Sequence, residues 1–577
     1  MSYRYDLHRQ RRWFSVNNSI KLPVSIVESK ARERALLLLD EGTANEILGP
    51  FDFFESPHLE AQNIVPQSDD GMIIMQGTIR GRRSLVISIE GSFQGGGIGE
   101  VSGAKFAGAL ERAYESCEAG ELIYPVIIYD TGGVRLQEAN YGLLSIAEIS
   151  SAIVALKKYV PVIGIIPGKV GSFGGMSLTA GLCSALIMTR EGRLGMNGPE
   201  VVQQEAGIQE LNAKQKPFIW KMIGGSMRYN SKLVDAVIED DVVNYLDTLE
   251  NLWTNNNFKQ RTMEYDTFLN MLNHLQFEQK IGTDEAQEIL SNRSELAAGE
   301  ATITDGENTS RGRTWFNAFT NNAPSISETP SVLVADAHLN GEKARFIAVV
   351  PNSENKFYRA RNGEFGLQEA WTVAKYVRQA IEEDKDSAEK RLIVPIVDVP
   401  GQAFGYHEEL FGIYLACAAS VEAYAVARQS GHPIVTCVVG KAISGAFLAH
   451  GMQGNRIISL DDSEVQVHVM SKKSAALVTM RTVEELDEFA KSVPSMAYDV
   501  HSFKTLGALY ELIDGINADE PTNEQVQKVI HSITSAKEDI IQSGDRTLAN
   551  RIQSTIAVEN GRKASIAVRG KIEQQWN

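Results

Sequence analysis

Short apolar runs alternate with longer helical patterns along most of the chain. Runs such as "PVIIYD" (residues 125–130) and "PVIGII" (residues 161–166) are typical of buried strands, and each leads into a glycine turn. Between them, "IAEISSAIVALKKY" repeats apolar residues at helical spacing, which places Ile146, Ile149 and Ile153 on one face. Alternating strand and helix patterns predict parallel strands with helices packed outside them.

This pattern occurs twice. "PVIIYDTGGVRLQEA" aligns with "VPIVDVPGQAFGYHEE", so that Gly133 falls on Gly401 at an offset of 268 residues. "PVIGIIPGKVGSFGGMSLTAG" aligns with "PIVTCVVGKAISGAFLAHG", so that Pro161 falls on Pro433 at an offset of 272 residues. Two blocks that recur in the same order predict two related domains in tandem.

The length of the chain agrees with this division, because 577 residues are too many for one hydrophobic core. The stretch 291–330 is rich in Ser, Thr, Asn, Gly and charge, with one aromatic patch around Trp315 and Phe316. Such composition is typical of a linker that packs against a domain once. We predict an α/β domain at residues 1–290, a linker at 291–330 and a second α/β domain at 331–577.

Composition narrows the class of protein. The formal net charge of −17 argues against nucleic acid or an anionic membrane as a main partner, because the phosphates would be repelled. The N-terminus lacks the apolar core of a signal peptide, and we expect no membrane-spanning stretch of about 18 apolar residues. The four cysteines form no CxxC pair and have no zinc-site spacing. Together these features predict a soluble cytoplasmic protein without a metal site.

Glycine turns are the main candidates for chemistry. They have a structural explanation, since glycine permits φ > 0 and close packing of helix on sheet. They also have a functional one, because bare N–H groups at a helix start can form an oxyanion hole for a thioester oxygen. Each strand-end turn is followed by a helix-start turn about 40 residues later, which favours function. The candidate hole residues are Gly133, Val134, Gly174 and Gly175 in the first half, and Gly401, Gln402, Gly445 and Ala446 in the second.

A third glycine run, "GSFQGGGIGEVSGAKFAGALERA", also leads into a helical pattern. Its Gly96 and Gly97 could approach a phosphate, and Lys105 could contact the phosphate of a pantetheine arm. A solvated lysine explains Lys105 equally well. The run lacks GxxxxGK[ST] and a following acidic residue at dinucleotide spacing, which argues against nucleoside triphosphate or NAD.

As a set, these motifs resemble the beta and gamma subunits of biotin-independent malonate decarboxylase joined end to end. The first half carries "TGGVRLQEANYGLLSIAEI" and "MTREGRLGMNGPEVVQQEAGI", and the second carries "GQAFGYHEELFGI" and "AISGAFLAHGMQGNRII". The resemblance implies two crotonase-like (carboxyltransferase-type) domains, each a ββα superhelix, with the active site between them and one oxyanion hole from each. In the family the subunits are usually separate chains, whereas here they are fused.

The resemblance implies a reaction and its partners. Malonyl-S-acyl carrier protein would be decarboxylated to acetyl-S-acyl carrier protein and carbon dioxide. The substrate would be carried on the phosphopantetheine-type group of the carrier protein, and this chain would bind no cofactor and no biotin. The implied partners are the acyl carrier protein (delta) and acyl carrier protein transferase (alpha) subunits, and a homo-oligomer is expected.

Catalysis then requires donors on the thioester oxygen and a proton for the enolate carbon. A cation on the leaving carboxylate would oppose the reaction, so we predict that Arg135 pairs structurally with a neighbour such as Glu138. Spacing does not choose among the candidate proton donors, each of which also has an ordinary structural explanation. They are His407, His450, His468, Tyr141 and Tyr406.

Two alternatives stay open at this point. The first is a biotin-dependent carboxyltransferase whose second hole holds the ureido oxygen of biotin. The chain has no biotin-attachment sequence of the AMKM kind, which does not exclude a separate biotinylated carrier. The second alternative is a non-catalytic scaffold that holds carrier protein and transferase together.

Overall fold

The structure is a computed structural model that describes residues 23–277, 280–297, 299, 309–478, 481–491 and 493–576. Its strands form two seven-stranded sheets, one from each half of the chain. The strands of the first sheet are β1 (Asn45–Ile47), β2 (Met72–Ile79), β3 (Arg82–Ile89), β4 (Tyr124–Ile128), β5 (Ile163–Ile166), β6 (Ala185–Thr189) and β7 (Ala236–Ile238). Those of the second are β8 (Val332–Leu339), β9 (Glu342–Val349), β10 (Leu392–Val399), β11 (Val435–Ile443), β12 (Arg456–Leu460), β13 (Gln466–His468) and β14 (Glu511–Ile513).

Helices cover both sheets. In the first half they are α1 (Ala31–Leu38), α2 (Glu100–Glu118), α3 (Ala139–Leu156), α4 (Gly175–Leu182), α5 (Pro199–Ala206), α6 (Lys216–Ile223), α7 (Gly225–Asn230), α8 (Val242–Asn255), α9 (Tyr265–His274) and α10 (Thr283–Ser291). They continue with α11 (Arg311–Thr320), α12 (Leu367–Glu383), α13 (Tyr406–Leu410), α14 (Ile413–Gln429), α15 (Ser444–Ala449), α16 (Lys472–Val478), α17 (Val483–Ala490), α18 (Val500–Lys504), α19 (Asn523–Ser543), α20 (Asn550–Gln553) and α21 (Lys563–Gln575).

Six strands of each sheet share one topology. In the first, β2 and β3 form an antiparallel hairpin, and β3 to β7 then run parallel in chain order. In the second, β8 and β9 form the hairpin, and β9, β10, β11, β12 and β14 run parallel in the same order. Parallel strands covered on both faces need continuous apolar runs, which explains the runs in the sequence. The predicted tandem α/β fold is confirmed.

The predicted linker contains ordered structure. Helix α11 lies within it and packs on the second sheet, with Trp315 and Phe316 buried. The Trp315 indole N–H donates to the Ala518 carbonyl at 2.9 Å. Residues 298 and 300–308 of the stretch lie outside the described residues. The boundaries at 290 and 331 therefore stay a prediction, to which the structure adds that α11 belongs to the second sheet.

Close helix packing joins the two halves. Helix α4 of the first half crosses α14 of the second at Gly181, where a Cβ atom would lie 2.8 Å from the Cβ of Ala418. Small residues on both helices therefore allow the halves to approach. Helix α3 lies beside them and is the one described helix that is long and apolar enough to cross a membrane (Leu136–Leu156); 89% of its 18-residue apolar window is buried in the protein. The expectation that no such stretch exists is thus wrong, and the stretch packs in the core.

The last helix, α21, packs on the first half of the chain. Its Val568 and Ile572 are buried, and Ile572 lies against Gly108 of α2, where a Cβ atom would be 3.0 Å from the Ile572 Cδ1 atom. Arg562, which directly precedes α21, and Arg569 within it donate to the buried Glu148 carboxylate of α3 at 3.0 and 2.8 Å. The second half therefore reaches back over the first.

This ion cluster predicts a dependence of stability on pH. Burial opposes ionisation of Glu148, but Arg562 and Arg569 outweigh it and lower the pKa of Glu148 from 4.5 to about 2. A carboxylate whose folded pKa is depressed stabilises the fold above its unfolded pKa, and this contribution is lost as the pH falls. We expect Glu148→Gln to show a shallower loss of unfolding free energy than wild type from about pH 4.5 to 2. Urea unfolding at stepped pH measures this.

The exposed Glu538 of α19 provides the matched control. Glu538→Gln should reproduce the wild-type slope, because that side chain is not buried against the arginines of α21. Equal slopes for wild type and Glu148→Gln would contradict the assignment.

Candidate active site

A cavity of about 610 Å³ lies between the two halves. Both halves supply its walls, and apolar side chains such as Leu143, Phe173 and Leu448 form much of the lining. Exposed Glu200, Gln204 and Lys216 stand at its rim. Of the predicted hole residues it is lined by Val134, Gly174, Gly175, Gly401, Gln402 and Gly445. The glycine turns of the two halves thus meet in one shared cleft.

In the first half, Val134 and Gly175 present the available donors. The Gly133 N–H donates to the Thr131 hydroxyl oxygen at 3.0 Å, and the Gly174 N–H donates to the Met196 carbonyl at 2.8 Å. The Val134 amide has no hydrogen-bond acceptor among the described residues. Gly175 is the first residue of α4, where the amide has no intrahelical acceptor. We call the main-chain N–H groups of Val134 and Gly175 the first amide pair.

The neighbouring glycines serve a different purpose. Gly133 and Gly174 have φ of +111° and +56°, a region that side chains rarely adopt. They also face each other, because a Cβ atom on Gly133 would lie 3.0 Å from the Gly174 Cα atom and one on Gly174 would lie 3.1 Å from the Gly133 Cα atom. Both residues are therefore needed for the close approach of strand end and helix start, and the donors come one residue later.

The strand-end turn of the second half repeats the hydrogen-bond pattern of the first. The Phe365 N–H donates to the Gly401 carbonyl and the Ala403 N–H to the Phe365 carbonyl. In the first half, Ile98 makes the same two bonds with Gly133 and Arg135. Gln402 therefore occupies the place of Val134, and its main-chain N–H has no acceptor among the described residues.

The helix-start turn of the second half differs by one position from the sequence alignment. Ser444 has φ of +60°, matching +56° at Gly174, so Gly445 rather than Ala446 corresponds to Gly175. Ala446 is fully buried and does not line the cavity. Gln402 and Gly445 form the second amide pair. Ala446 is therefore not part of the hole, and its assignment from the sequence is corrected. The alignment misplaces it because fewer residues separate Lys441 from α15 than separate Lys169 from α4.

A buried ion cluster holds the first strand-end turn in place. Arg135 donates to Asp70 at 2.7 Å and to Glu138 at 2.6 Å, and all three side chains are buried. The predicted pairing of Arg135 with Glu138 is confirmed. Burial raises the pKa of Asp70 to about 6, against the opposing effect of Arg135. Since Arg135 directly follows Val134, this cluster fixes the backbone that carries the donor.

Known proteins resemble each half of the chain. A family described as "Carboxyl transferase domain" matches residues 28–242, and one described as "Malonate decarboxylase gamma subunit" matches residues 360–576. The malonyl-S-ACP:biotin-protein carboxyltransferase MADC of Malonomonas rubra is 42% identical over 215 residues, which is 36% of this chain and 68% of that protein. The chain belongs to the malonate decarboxylase family of carboxyltransferases.

Two further proteins of this malonate decarboxylase family show similar identity. The malonyl-S-ACP:biotin-protein carboxyltransferase MADD of Malonomonas rubra is 38% identical over 192 residues, 33% of this chain and 66% of that protein. A chain in a crystal structure of a Pseudomonas malonate decarboxylase hetero-tetramer with malonate is 43% identical, with 49% of this chain and all of that chain covered and a TM-score of 0.46. The matched stretches span about two thirds of each Malonomonas protein.

None of the candidate proton donors lines the cavity of this malonate decarboxylase homologue. His450 is buried, with its Nδ1 atom 3.0 Å from the Tyr424 hydroxyl, and burial lowers its pKa to about 4. His468 is buried against Tyr498, and burial lowers its pKa to about 3. Both imidazoles are neutral core side chains at neutral pH.

The other three candidates also face protein. The Tyr406 hydroxyl donates to the Ile281 carbonyl at 2.9 Å, and burial raises its pKa to about 12. His407 accepts from the Ile281 N–H at 3.4 Å. Tyr141 stacks on His58 with ring centroids 4.6 Å apart. Their nearness to glycine turns in sequence does not place these side chains in the cleft.

The third glycine run supports the turn instead of lining the cavity. A Cβ atom on Gly96 would lie 2.1 Å from the Asp130 carbonyl oxygen, and one on Gly97 would lie 3.0 Å from the Arg135 Cα atom. Lys105 is fully buried and donates to the carbonyls of Leu48 and Asp69. Burial lowers the pKa of Lys105 to about 8. The positions of Gly96, Gly97 and Lys105 do not support the predicted contact with a pantetheine phosphate.

Asn197 in the cleft and the buried Glu409 that it contacts carry no signal in the sequence. Asn197 lines the cavity and donates to the Glu409 carboxylate from its main-chain N–H at 2.6 Å and from its side chain at 2.9 Å. Glu409 is fully buried, which raises its pKa against three hydrogen bonds from Met196 and Asn197. The pair is 212 residues apart in the chain, so only the fold brings it together.

Proposed function

We propose that this chain decarboxylates malonyl-S-acyl carrier protein to acetyl-S-acyl carrier protein and carbon dioxide. One observation carries the proposal: the cleft between the halves contains an amide pair, Val134 and Gly175, for which the described residues offer no acceptor. Two N–H donors at a cleft suit a carbonyl oxygen on which negative charge develops.

The chemistry follows from where the charge moves. When the C–C bond to the carboxylate breaks, its electron pair enters the thioester as an enolate, and the charge shifts onto the thioester oxygen. Donors fixed on that oxygen therefore bind the transition state more tightly than the ground state. Apolar walls such as Leu143 and Leu448 strengthen these hydrogen bonds, because they lower the local dielectric constant.

Protonation of the enolate carbon completes the reaction. Since the candidate histidines and tyrosines face protein, the proton in this proposal comes from water that enters at the rim formed by Glu200, Gln204 and Lys216. The cavity is open there, and those side chains are exposed. The enolate carbon takes one proton, and the thioester carbonyl re-forms as the acetyl group leaves the amide pair.

The proposal extends to the partners of the reaction. The substrate arrives on the phosphopantetheine-type group of an acyl carrier protein (delta), loaded by an acyl carrier protein transferase (alpha), and the chain uses no biotin. It works as a homo-oligomer in the cytoplasm. Membership of the malonate decarboxylase family supports a malonyl substrate.

A second candidate function is transfer of the malonyl carboxyl group to biotin on a separate carrier protein. The names of the Malonomonas rubra relatives MADC and MADD favour it, since both are malonyl-S-ACP:biotin-protein carboxyltransferases. The enolate would occupy the same amide pair in both reactions. The two functions differ only in where the carboxyl carbon goes.

The deciding experiment feeds a malonyl thioester to the purified chain with and without a biotinylated carrier protein. Release of carbon dioxide and acetyl thioester at the same rate in both is expected. A strict requirement for biotinylated carrier would overturn the proposal in favour of the second function. No turnover under either condition, with the thioester still bound, would favour a scaffold.

A further inference from the structure

The two amide pairs of the cleft differ in one respect. Among the described residues the first has no acceptor, whereas in the second the Gly445 N–H donates to the Gln402 side-chain oxygen at 3.0 Å. At the place of Gln402 the first half has Val134, whose side chain has no polar atom. The chain therefore caps the Gly445 donor of the second pair with a side-chain amide of its own and leaves both donors of the first pair open.

A chain of hydrogen bonds fixes the orientation of the Gln402 amide. Its Nε2 group donates to the Asn197 side-chain oxygen at 2.9 Å. The Asn197 NH₂ group in turn donates to Glu409 at 2.9 Å and to the Ala403 carbonyl at 3.2 Å. Because a carboxylate and a carbonyl accept only, the Asn197 oxygen must face Gln402, and the Gln402 oxygen must then face Gly445.

The anchor of this chain is rigid. Glu409 also accepts from the Met196 N–H at 2.9 Å, and its main-chain carbonyl accepts from the buried Arg228 at 2.8 Å. Asn197, Met196 and Arg228 belong to the first half, and Glu409 and Gln402 to the second. Docking of the two halves therefore sets the position of the Gln402 side chain.

We propose that Gln402 determines the fate of the carboxyl group, because its side-chain oxygen occupies the Gly445 donor of the second amide pair, where the urea carbonyl of a biotin acceptor would otherwise bind. A urea carbonyl and a carboxamide present the same oxygen to an N–H donor, and the names of the Malonomonas rubra relatives supply biotin as the acceptor to compare. This inference rests on the proposed decarboxylation and identifies the residue that keeps it independent of biotin.

In the competing reaction the carboxyl group of the malonyl thioester moves to biotin. The C–C bond of the malonyl thioester breaks, and its electron pair forms the enolate. The carboxyl carbon, as carbon dioxide, forms a bond with a ureido nitrogen of biotin. The N–H proton displaced from that nitrogen goes to the enolate carbon, so the products are acetyl thioester and carboxybiotin. With Gln402 in place, the carbon dioxide leaves instead and water supplies the proton.

The test uses the full-length chain with malonyl-CoA carrying a ¹³C carboxyl group and free d-biotin. The measured quantity is the ratio of carboxybiotin, trapped as its methyl ester and detected by mass spectrometry, to acetyl-CoA formed. Gln402→Ala opens the Gly445 amide, and the ratio should rise by roughly tenfold or more over wild type, the effect of about one hydrogen bond.

Gln527→Ala is the matched control, because Gln527 is an exposed glutamine of α19 that does not line the cavity. It should leave the ratio unchanged. Circular dichroism checks that each variant folds, and Gln402→Ser replaces Gln402→Ala if the alanine variant does not.

Two results would overturn the inference, and a third would overturn the proposed function instead. An equal ratio in wild type, Gln402→Ala and Gln402→Ser, including none in all three, would overturn the role of Gln402. A wild-type chain that already carboxylates biotin would also overturn it. Acetyl-CoA formation by wild type only when biotin is present would instead overturn the proposed function.

Discussion

Replacing Gly174 with alanine is expected to lower the rate of carbon dioxide release from a malonyl thioester by about 10²–10³-fold, the cost of one lost oxyanion donor. Gly174 has φ of +56°, and an alanine Cβ would lie 3.1 Å from the Gly133 Cα atom and 3.3 Å from the Gly132 carbonyl oxygen. The turn must therefore move, and the Gly175 amide that follows it moves out of line. Steady-state kinetics with malonyl-CoA measures the effect.

Substitution of Gly120 is the control that distinguishes this local effect from ordinary backbone strain. It too has a left-handed φ, of +94°, but a Cβ atom there would have no neighbour within 4 Å. Gly120→Ala should cost about 1 kcal/mol of stability and leave turnover unchanged. If Gly174→Ala turns over like Gly120→Ala, the first amide pair is not the site of catalysis.

Removing the positive charge of Arg135 is expected to lower the free energy of unfolding by about 3–5 kcal/mol, because two buried carboxylates lose their shared cation. Arg135→Met keeps most of the side-chain volume, so the effect reports the charge and not a cavity. Burial already raises the pKa of Asp70 to about 6, and the variant should raise it further. Urea unfolding at pH 8 measures the loss.

The exposed pair of Lys385 and Glu382 is the control for this change. Lys385→Met should alter stability by no more than about 0.5 kcal/mol, as surface substitutions generally do. The role of Arg135 would be contradicted by a loss no larger than that control. A turnover loss per folded molecule in Arg135→Met would show in addition that the cluster positions the Val134 amide.

The sequence predicts most of the fold. Parallel strands such as β4 and β5 are covered on both faces, so they appear as continuous apolar runs, and the repeat of these runs predicts two related domains. It predicts the pairing of Arg135 with Glu138 as well, because residues three apart in a turn lie close together. Membership of the family follows from the longer motifs.

The details of the site depend on backbone geometry that residue types do not encode. Aligning glycine with glycine pairs Gly174 with Gly445, whereas the left-handed conformation in the second half belongs to Ser444. The candidate histidines fail for a related reason, since the direction of a side chain near a turn depends on which face is buried. Asn197 and Glu409 meet only when the two halves dock.

Helix α21 has a consequence for how the protein is made. Domains generally fold in the order in which they leave the ribosome. Here the apolar surface of α2 in the first domain is covered by Val568 and Ile572, which are synthesised hundreds of residues later. The first domain therefore completes its surface only after α21 has been synthesised, and a nascent chain stalled before α21 exposes an apolar patch that chaperones would recognise.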